Sequence, residues 1–188
     1  HTMVLWNGIP VTATNTGMAD FSIIPVISAS SVLVTGGGAD LEEISGAIGG
    51  KIELLSAPSG NHGTEASFAT SAGSNDQYAS ALAVSTGNEK LSANLSIWGK
   101  KSGNDFLFTN KDDPGGPSTE RRVNASSATA GILGDMFFTG VSSTLSMHLW
   151  YNLSDRELPG PVTTFQQNFR ETQDDRSIRS ALRFKKTA

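Results

Sequence analysis

His1-Thr-Met-Val-Leu-Trp-Asn-Gly-Ile-Pro-Val11 and Val32-Leu-Val-Thr-Gly-Gly-Gly-Ala-Asp-Leu-Glu-Glu-Ile-Ser-Gly-Ala-Ile-Gly-Gly-Lys-Ile-Glu-Leu-Leu55 are the two stretches that decide the reading of the fold. In the first, the apolar runs Met3–Trp6 and Ile9–Val11 flank Asn7-Gly8. A tight primed turn needs φ > 0 at both central residues, so this dipeptide predicts a hairpin. In the second, Ser31–Thr35 reads as a buried strand, Ala39–Ser45 as a brief helix and Lys51–Leu55 as another strand. Between the two, Asp20 can cap a helical turn that stops near Pro25, where the missing N–H and the ring clash end it. The expectation for residues 1–57 is therefore a small α/β body.

From Pro58 onward the texture changes to period-two alternation. Leu91, Ala93, Leu95 and Ile97 share one face, with Ser92, Asn94, Ser96 and Trp98 on the other. Val141, Leu145, Met147, Leu149 and Tyr151 stand against Ser142, Thr144, Ser146, His148 and Trp150; Ile178, Leu182 and Phe184 stand against Arg179, Arg183 and Lys185. Weaker versions run through Thr64–Ala72, Gln77–Thr86 and Val123–Phe138. Alternation puts one face in an apolar medium and the other in a polar one. A sandwich, a soluble barrel and a membrane barrel all satisfy it, and periodicity does not choose between them. Tight turns at Gly73–Asp76 and Gly87–Lys90 interleave with long polar loops at Gly103–Arg121 and Asp155–Asp175, the rhythm of an outer-membrane barrel.

Bulk properties exclude several classes. A net charge of −4 and a pI near 5.3 lack the basic excess of a nucleic-acid binder. No cysteine is present, hence no disulfide framework and no thiolate metal site. The longest apolar run, about Ile23–Ile27, falls far short of the ~18 residues of a membrane helix. That excludes helical spanning only, because strands cross in ~10-residue alternating segments. The first residue already lies within a strand pattern and is not Met, so a piece of a longer chain is expected.

Catalytic motifs fail on detail. A dinucleotide fingerprint starting at Gly36 needs glycine where Leu41 stands, and a Walker loop ending at Gly50-Lys51 needs Ser or Thr where Ile52 stands. No Gly-x-Ser-x-Gly elbow exists, and His1, His62 and His148 have no motif context. The chain is expected not to be an enzyme. Asp112 and Asp113, in the first long loop, are weak Ca²⁺ candidates by residue type, without the spacing of a defined calcium loop. Trp98 and Trp150 fall with the polar set and are expected to pack against a core, while Tyr151 points with the apolar set.

Taken in order, the segments His1–Val11, Ala19-Asp-Phe-Ser-Ile-Ile-Pro-Val26, Val32–Gly38 and Ser45-Gly-Ala-Ile-Gly-Gly-Lys-Ile-Glu-Leu-Leu55 resemble the plug domain of TonB-dependent outer-membrane receptors, nearest the cobalamin receptor branch. The resemblance covers about the first 55 residues; later it extends only to barrel texture and to Trp150-Tyr-Asn152 with Asp155-Arg-Glu-Leu-Pro-Gly-Pro161. It departs at Thr35-Gly36-Gly37, where the family has Arg-Gly-Pro, and at Ile44-Ser45-Gly46, where it has Tyr-Gly.

The resemblance implies a mixed fold: the C-terminal part of a small α/β plug (1–57), then the first antiparallel strands of a truncated transmembrane β-barrel (58–188), of which about six fit. It implies energised uptake of a scarce ligand, cobalamin or a metal chelate, across the bacterial outer membrane. Its partners would be that ligand, outer-membrane lipid, and TonB acting through a segment preceding His1, with no nucleic acid. Thr12, Asn15 and Thr16, in the position of a plug apical loop, would touch ligand. No resident cofactor is implied, Ca²⁺ in external loops aside. The alternative from another class is a soluble secreted all-β binding module.

Overall fold

A computed structural model describes residues 2–12, 19–21, 24, 30–36, 49–59, 63–161 and 170–186. Strands hold 69% of these residues, and none of them lies in an α-helix. The expected α/β class is thereby corrected to β. The helix expected at Ala39–Ser45 lies outside the described residues; of the turn expected at Asp20–Pro25, only Asp20, Phe21 and Ile24 are described.

The N-terminal elements are β1 (Met3–Trp6), β2 (Ile9–Pro10), β3 (Ser31–Thr35) and β4 (Lys51–Leu55), in one sheet of order β2-β1-β4-β3. β1 runs parallel to β4, and the other pairs are antiparallel. Asn7 (φ 47°) and Gly8 (φ 69°) form the predicted primed turn between β1 and β2. β3 departs from expectation: it is the sheet edge, and Val32 and Val34 are exposed rather than buried.

The larger sheet has six strands: β5 (Gly63–Gly73), β6 (Gln77–Gly87), β7 (Leu91–Ser102), β10 (Ser127–Thr139), β11 (Ser143–Leu158) and β12 (Glu171–Lys186). Their order is β12-β11-β10-β7-β6-β5, antiparallel throughout, with β5 and β12 at the edges. The expected loop 103–121 carries a hairpin of its own, β8 (Leu107–Asn110) with β9 (Ser118–Arg121). The other expected loop is shorter than read, since β11 extends to Leu158 and β12 begins at Glu171. Strand direction gathers the long connections 103–126 and 159–170 at one end, and the short turns 88–90 and 140–142 at the other.

The small sheet packs against one face of the large one. Val4, Trp6, Val11, Ile24 and Leu54 join Leu133 and Trp150 in a single buried cluster, with Trp98 against it. Trp150 and Trp98 thus pack inward, as their place among polar neighbours predicted. The Trp98 ring lies over Gly131, directly opposite in register, where a Cβ would overlap the indole.

Candidate functional site

Burial along the large sheet runs opposite to that of a sandwich. On β11 the buried positions are Ser146, His148, Trp150, Asn152 and Ser154, while Met147, Leu149 and Tyr151 are exposed. On β10, Thr129, Leu133, Asp135 and Phe137 are buried, and Ile132, Met136 and Phe138 are exposed. One row, Phe68–Leu82–Ile97–Ile132–Tyr151–Ile178, crosses all six strands in register on the exposed face. Its members range from 38% (Tyr151) to 71% (Phe68) exposed. Monomeric soluble proteins do not leave so large and continuous an apolar face in water.

The exposed face is banded. At the short-turn end it begins with the row Leu91–Phe138–Leu145–Phe184. At the long-loop end it gives way to the row Tyr78–Lys101–Ala128–Asp155–Asp174, where Lys101 Nζ sits 5.3 Å over the Tyr78 ring. Along β10 the apolar stretch from Phe138 to Ala130 spans about 27 Å at ~3.4 Å per residue. At the usual barrel tilt that gives about 21 Å along a membrane normal, near the ~25 Å apolar band of outer-membrane barrels.

The buried face carries a polar cluster at its junction with the small sheet. His148 Nδ1 stands 2.5 Å from Asp135 Oδ1 and 3.1 Å from Asn7 Nδ2, and Nε2 stands 3.0 Å from Ser146 Oγ. Asn7 Oδ1 accepts from the Ser56 N–H at 2.9 Å, and Nδ2 donates to Ser56 Oγ at 3.0 Å, which fixes the amide so that its NH₂ faces the imidazole. Trp6 and Phe137 close the ring from either side in edge-on contacts with centroids 5.9 and 5.5 Å away.

Ser146, His148 and Asp135 follow the order of a hydrolase triad, an arrangement that no motif in the chain announces. All three are buried, and Ser146 lies in β11, paired on both sides. The ladders occupy the backbone N–H groups there, so among the described residues the strands around Ser146 offer the hydroxyl no oxyanion hole. The cluster is a polar interlock between sheets.

Further contacts join the small sheet to β11 and β12. Arg183 donates to the Asn7 carbonyl. Arg179 donates to the Val11 carbonyl at 3.3 Å, with its guanidinium 5.1 Å over the Trp150 ring. Arg156 bridges Asp20 at 2.5 Å and Asp175 at 3.0 Å. Asn7, Val11 and Asp20 therefore meet the large sheet at successive levels, the last near the long-loop end.

Thr12 follows Val11 directly on this rise; Asn15 and Thr16 lie outside the described residues. Asp112 and Asp113 fall in the connection between β8 and β9, where the Ser118 hydroxyl and the Gly115 N–H hold the Asp113 carboxyl below its ordinary range. Among the described residues no group of three or more acidic, His or Cys side chains is placed to hold a metal ion. A recess of about 380 Å³ opens beside Ala57–Ser59, lined by Glu65, Ser67, Ser85, Asn94 and Ser96 from the inner faces of β5, β6 and β7.

No protein-family model matches this sequence. No curated protein matches it either. Among solved structures it is similar to the ferripyoverdine receptor of the outer membrane of Pseudomonas aeruginosa, determined bound to ferripyoverdine. The likeness has a TM-score of 0.60 at 20% identity and covers 96% of this chain. The chain spans 25% of that receptor's length. At this identity the likeness establishes the fold alone: a small four-stranded sheet against a six-stranded antiparallel sheet.

Proposed function

We propose that this chain is part of a TonB-dependent outer-membrane receptor that takes up a metal chelate, with residues 58–188 forming barrel wall and residues 1–57 the C-terminal part of the plug. The observation that carries this reading is the inversion of the large sheet, whose apolar face is exposed and whose polar face is buried against the small sheet. Lipid outside and a filled polar lumen inside account for both faces. A soluble secreted module would place the same side chains the other way.

The edges β5 and β12 require further strands, because unpaired backbone groups in hydrocarbon cost several kcal/mol each. The long connections and the β5–β6 turn 74–76 face outside the cell and the short turns 88–90 and 140–142 face the periplasm, so the contacts at Val11 and Asp20 climb toward the ligand side. Thr12, Asn15 and Thr16 are retained as proposed ligand contacts, and TonB as the proposed source of work. A ferric chelate is preferred to cobalamin as cargo: the structure with the shared fold is a ferripyoverdine receptor, and nothing in that likeness supports the cobalamin branch.

The test is uptake of ⁵⁵Fe-ferripyoverdine and of radiolabelled cobalamin by cells carrying the full-length gene. Iron uptake that stops on adding a protonophore supports the reading. A product that is soluble without detergent and brings in neither label contradicts it.

A further inference from the structure

The inward file of β12 reads Asp175, Ser177, Arg179, Ala181, Arg183, Lys185 from the long-loop end to the short-turn end. Its upper end is ion-paired, because Arg156 sits against Asp175 and Asp20. Its lower end is not, and Glu53, whose Oε1 approaches the Gly8–Arg183 contact, is itself paired with Lys51 at 3.5 Å. Among the described residues no carboxylate is within ion-pair distance of Arg179, Arg183 or Lys185. Arg179 bonds the Val11 carbonyl and, at 2.9 Å, Ser177 Oγ; Arg183 bonds the Asn7 carbonyl.

Both guanidinium groups are thus capped by main-chain carbonyls of the very sheet that fills the lumen. A neutral carbonyl satisfies a donor but leaves the cation uncompensated, whereas a carboxylate would neutralise it. The two caps sit on one short segment, Asn7–Val11, so movement of that segment removes both at once. What is left is a column of three positive charges on the passage wall, with a barrel interior to focus their field.

We propose that Arg179, Arg183 and Lys185 form an anion-conducting face that is masked while the small sheet is in place, and that the cargo passing it carries net negative charge. This rests on the uptake reading above and narrows its substrate class to anionic chelates.

The experiment places a thiol inside the file, in a chain that has none of its own. Ala181 lies between the two arginines on the same face. Ala181→Cys in the full-length receptor is exposed, in energised cells, to a sulfonate-bearing and to an ammonium-bearing methanethiosulfonate of similar size. Each rate is normalised to that with free thiol. The expected result is that the sulfonate reagent reacts roughly tenfold faster, as a local excess of positive charge requires. The preference should fall to near unity in Arg179→Gln/Arg183→Gln/Lys185→Gln and persist in Arg179→Lys/Arg183→Lys, which keeps the charge and controls for folding. Equal rates in the parent, or faster reaction with the ammonium reagent, overturn the anion face and leave uptake standing. Failure of Ala181→Cys to react with either reagent, energised or not, means that the sheet does not leave the wall, and overturns the uptake reading and the anion face together.

Discussion

His148 Nδ1 lies 2.5 Å from Asp135 Oδ1 across the β10–β11 hairpin, and both side chains are buried, the imidazole against the edges and faces of Trp6 and Phe137. They occupy directly opposed positions in the ladder, so the strand register itself brings them together.

Removing His148 leaves the buried Asp135 carboxyl without its imidazole partner, and removing Asp135 leaves His148, among the described residues, with Asn7 and Ser146 alone. His148→Leu and Asp135→Leu should each destabilise the folded protein by about 1–3 kcal/mol, the penalty for a buried polar group left unpaired. The double variant should lose clearly less than the sum, because neither group is then orphaned. Urea titration in detergent micelles, followed by tryptophan fluorescence, reads all three. Additive losses would show that the two side chains are not coupled.

Gly8 is fixed by two independent demands. Its φ is +69°, and a Cβ there would overlap the Arg183 guanidinium. Gly8→Ala should cost about 1 kcal/mol or more, by strain in the turn and by pushing Arg183 off the Asn7 carbonyl. Arg183→Ala made in the same background should recover part of the loss, since the clash is then gone. A loss unchanged by Arg183→Ala would assign the whole effect to the turn.

Alternation made the strands legible. The patterns at 91–98 and 178–185 lie within β7 and β12, the one at 141–151 enters β11 only from Ser143, Val141 and Ser142 falling in the preceding turn, and Asn7-Gly8 gave the hairpin. Which face meets which medium was not legible, because Leu95 and Ser96 alternate identically in a sandwich and in a barrel. Short segments misled: Leu107–Asn110 and Ser118–Arg121 have too few residues to show a period and flank Pro114-Gly-Gly-Pro117, so they read as loop. Val32 and Val34 looked like core because their composition is apolar, whereas edge position decides exposure. The interlock was invisible, since Asn7 and His148 are 141 residues apart and no local spacing announces the contact.

Glu157 gives the acid response a defined sign. The Ser126 hydroxyl, then the Ser126 N–H at 2.9 Å, hold its carboxyl below the ordinary value of 4.5. Glu157 lies beyond the Asp155–Asp174 row, outside the apolar band. A depressed carboxyl contributes stability above its unfolded value and loses it as pH falls through the folded value. Glu157→Gln should therefore flatten the stability loss on acidification below about pH 4.5 and leave its slope near neutrality unchanged. Identical acid profiles for parent and variant would exclude the contact as a contributor.

Leu95 lies on the exposed face, and its neighbour Ser96 is buried on the other. Leu95→Arg should cost about 2–4 kcal/mol in a bilayer, the depth-dependent penalty for a cation on a lipid-facing strand near mid-plane. The same change on a water-facing sheet would be close to neutral. Refolding yield into liposomes against urea distinguishes the two.

The most direct test of the membrane assignment compares Ile132 with Leu133, consecutive residues of β10 that face opposite ways, the first exposed and the second buried. Spin labels at Ile132→Cys and, separately, Leu133→Cys in the full-length protein reconstituted into liposomes report collision with oxygen, which concentrates in lipid, and with a water-soluble nickel chelate. The predicted result is strong oxygen and weak nickel relaxation at position 132, with weak relaxation by both at 133. Strong nickel relaxation at position 132 would put that face in water and contradict the account.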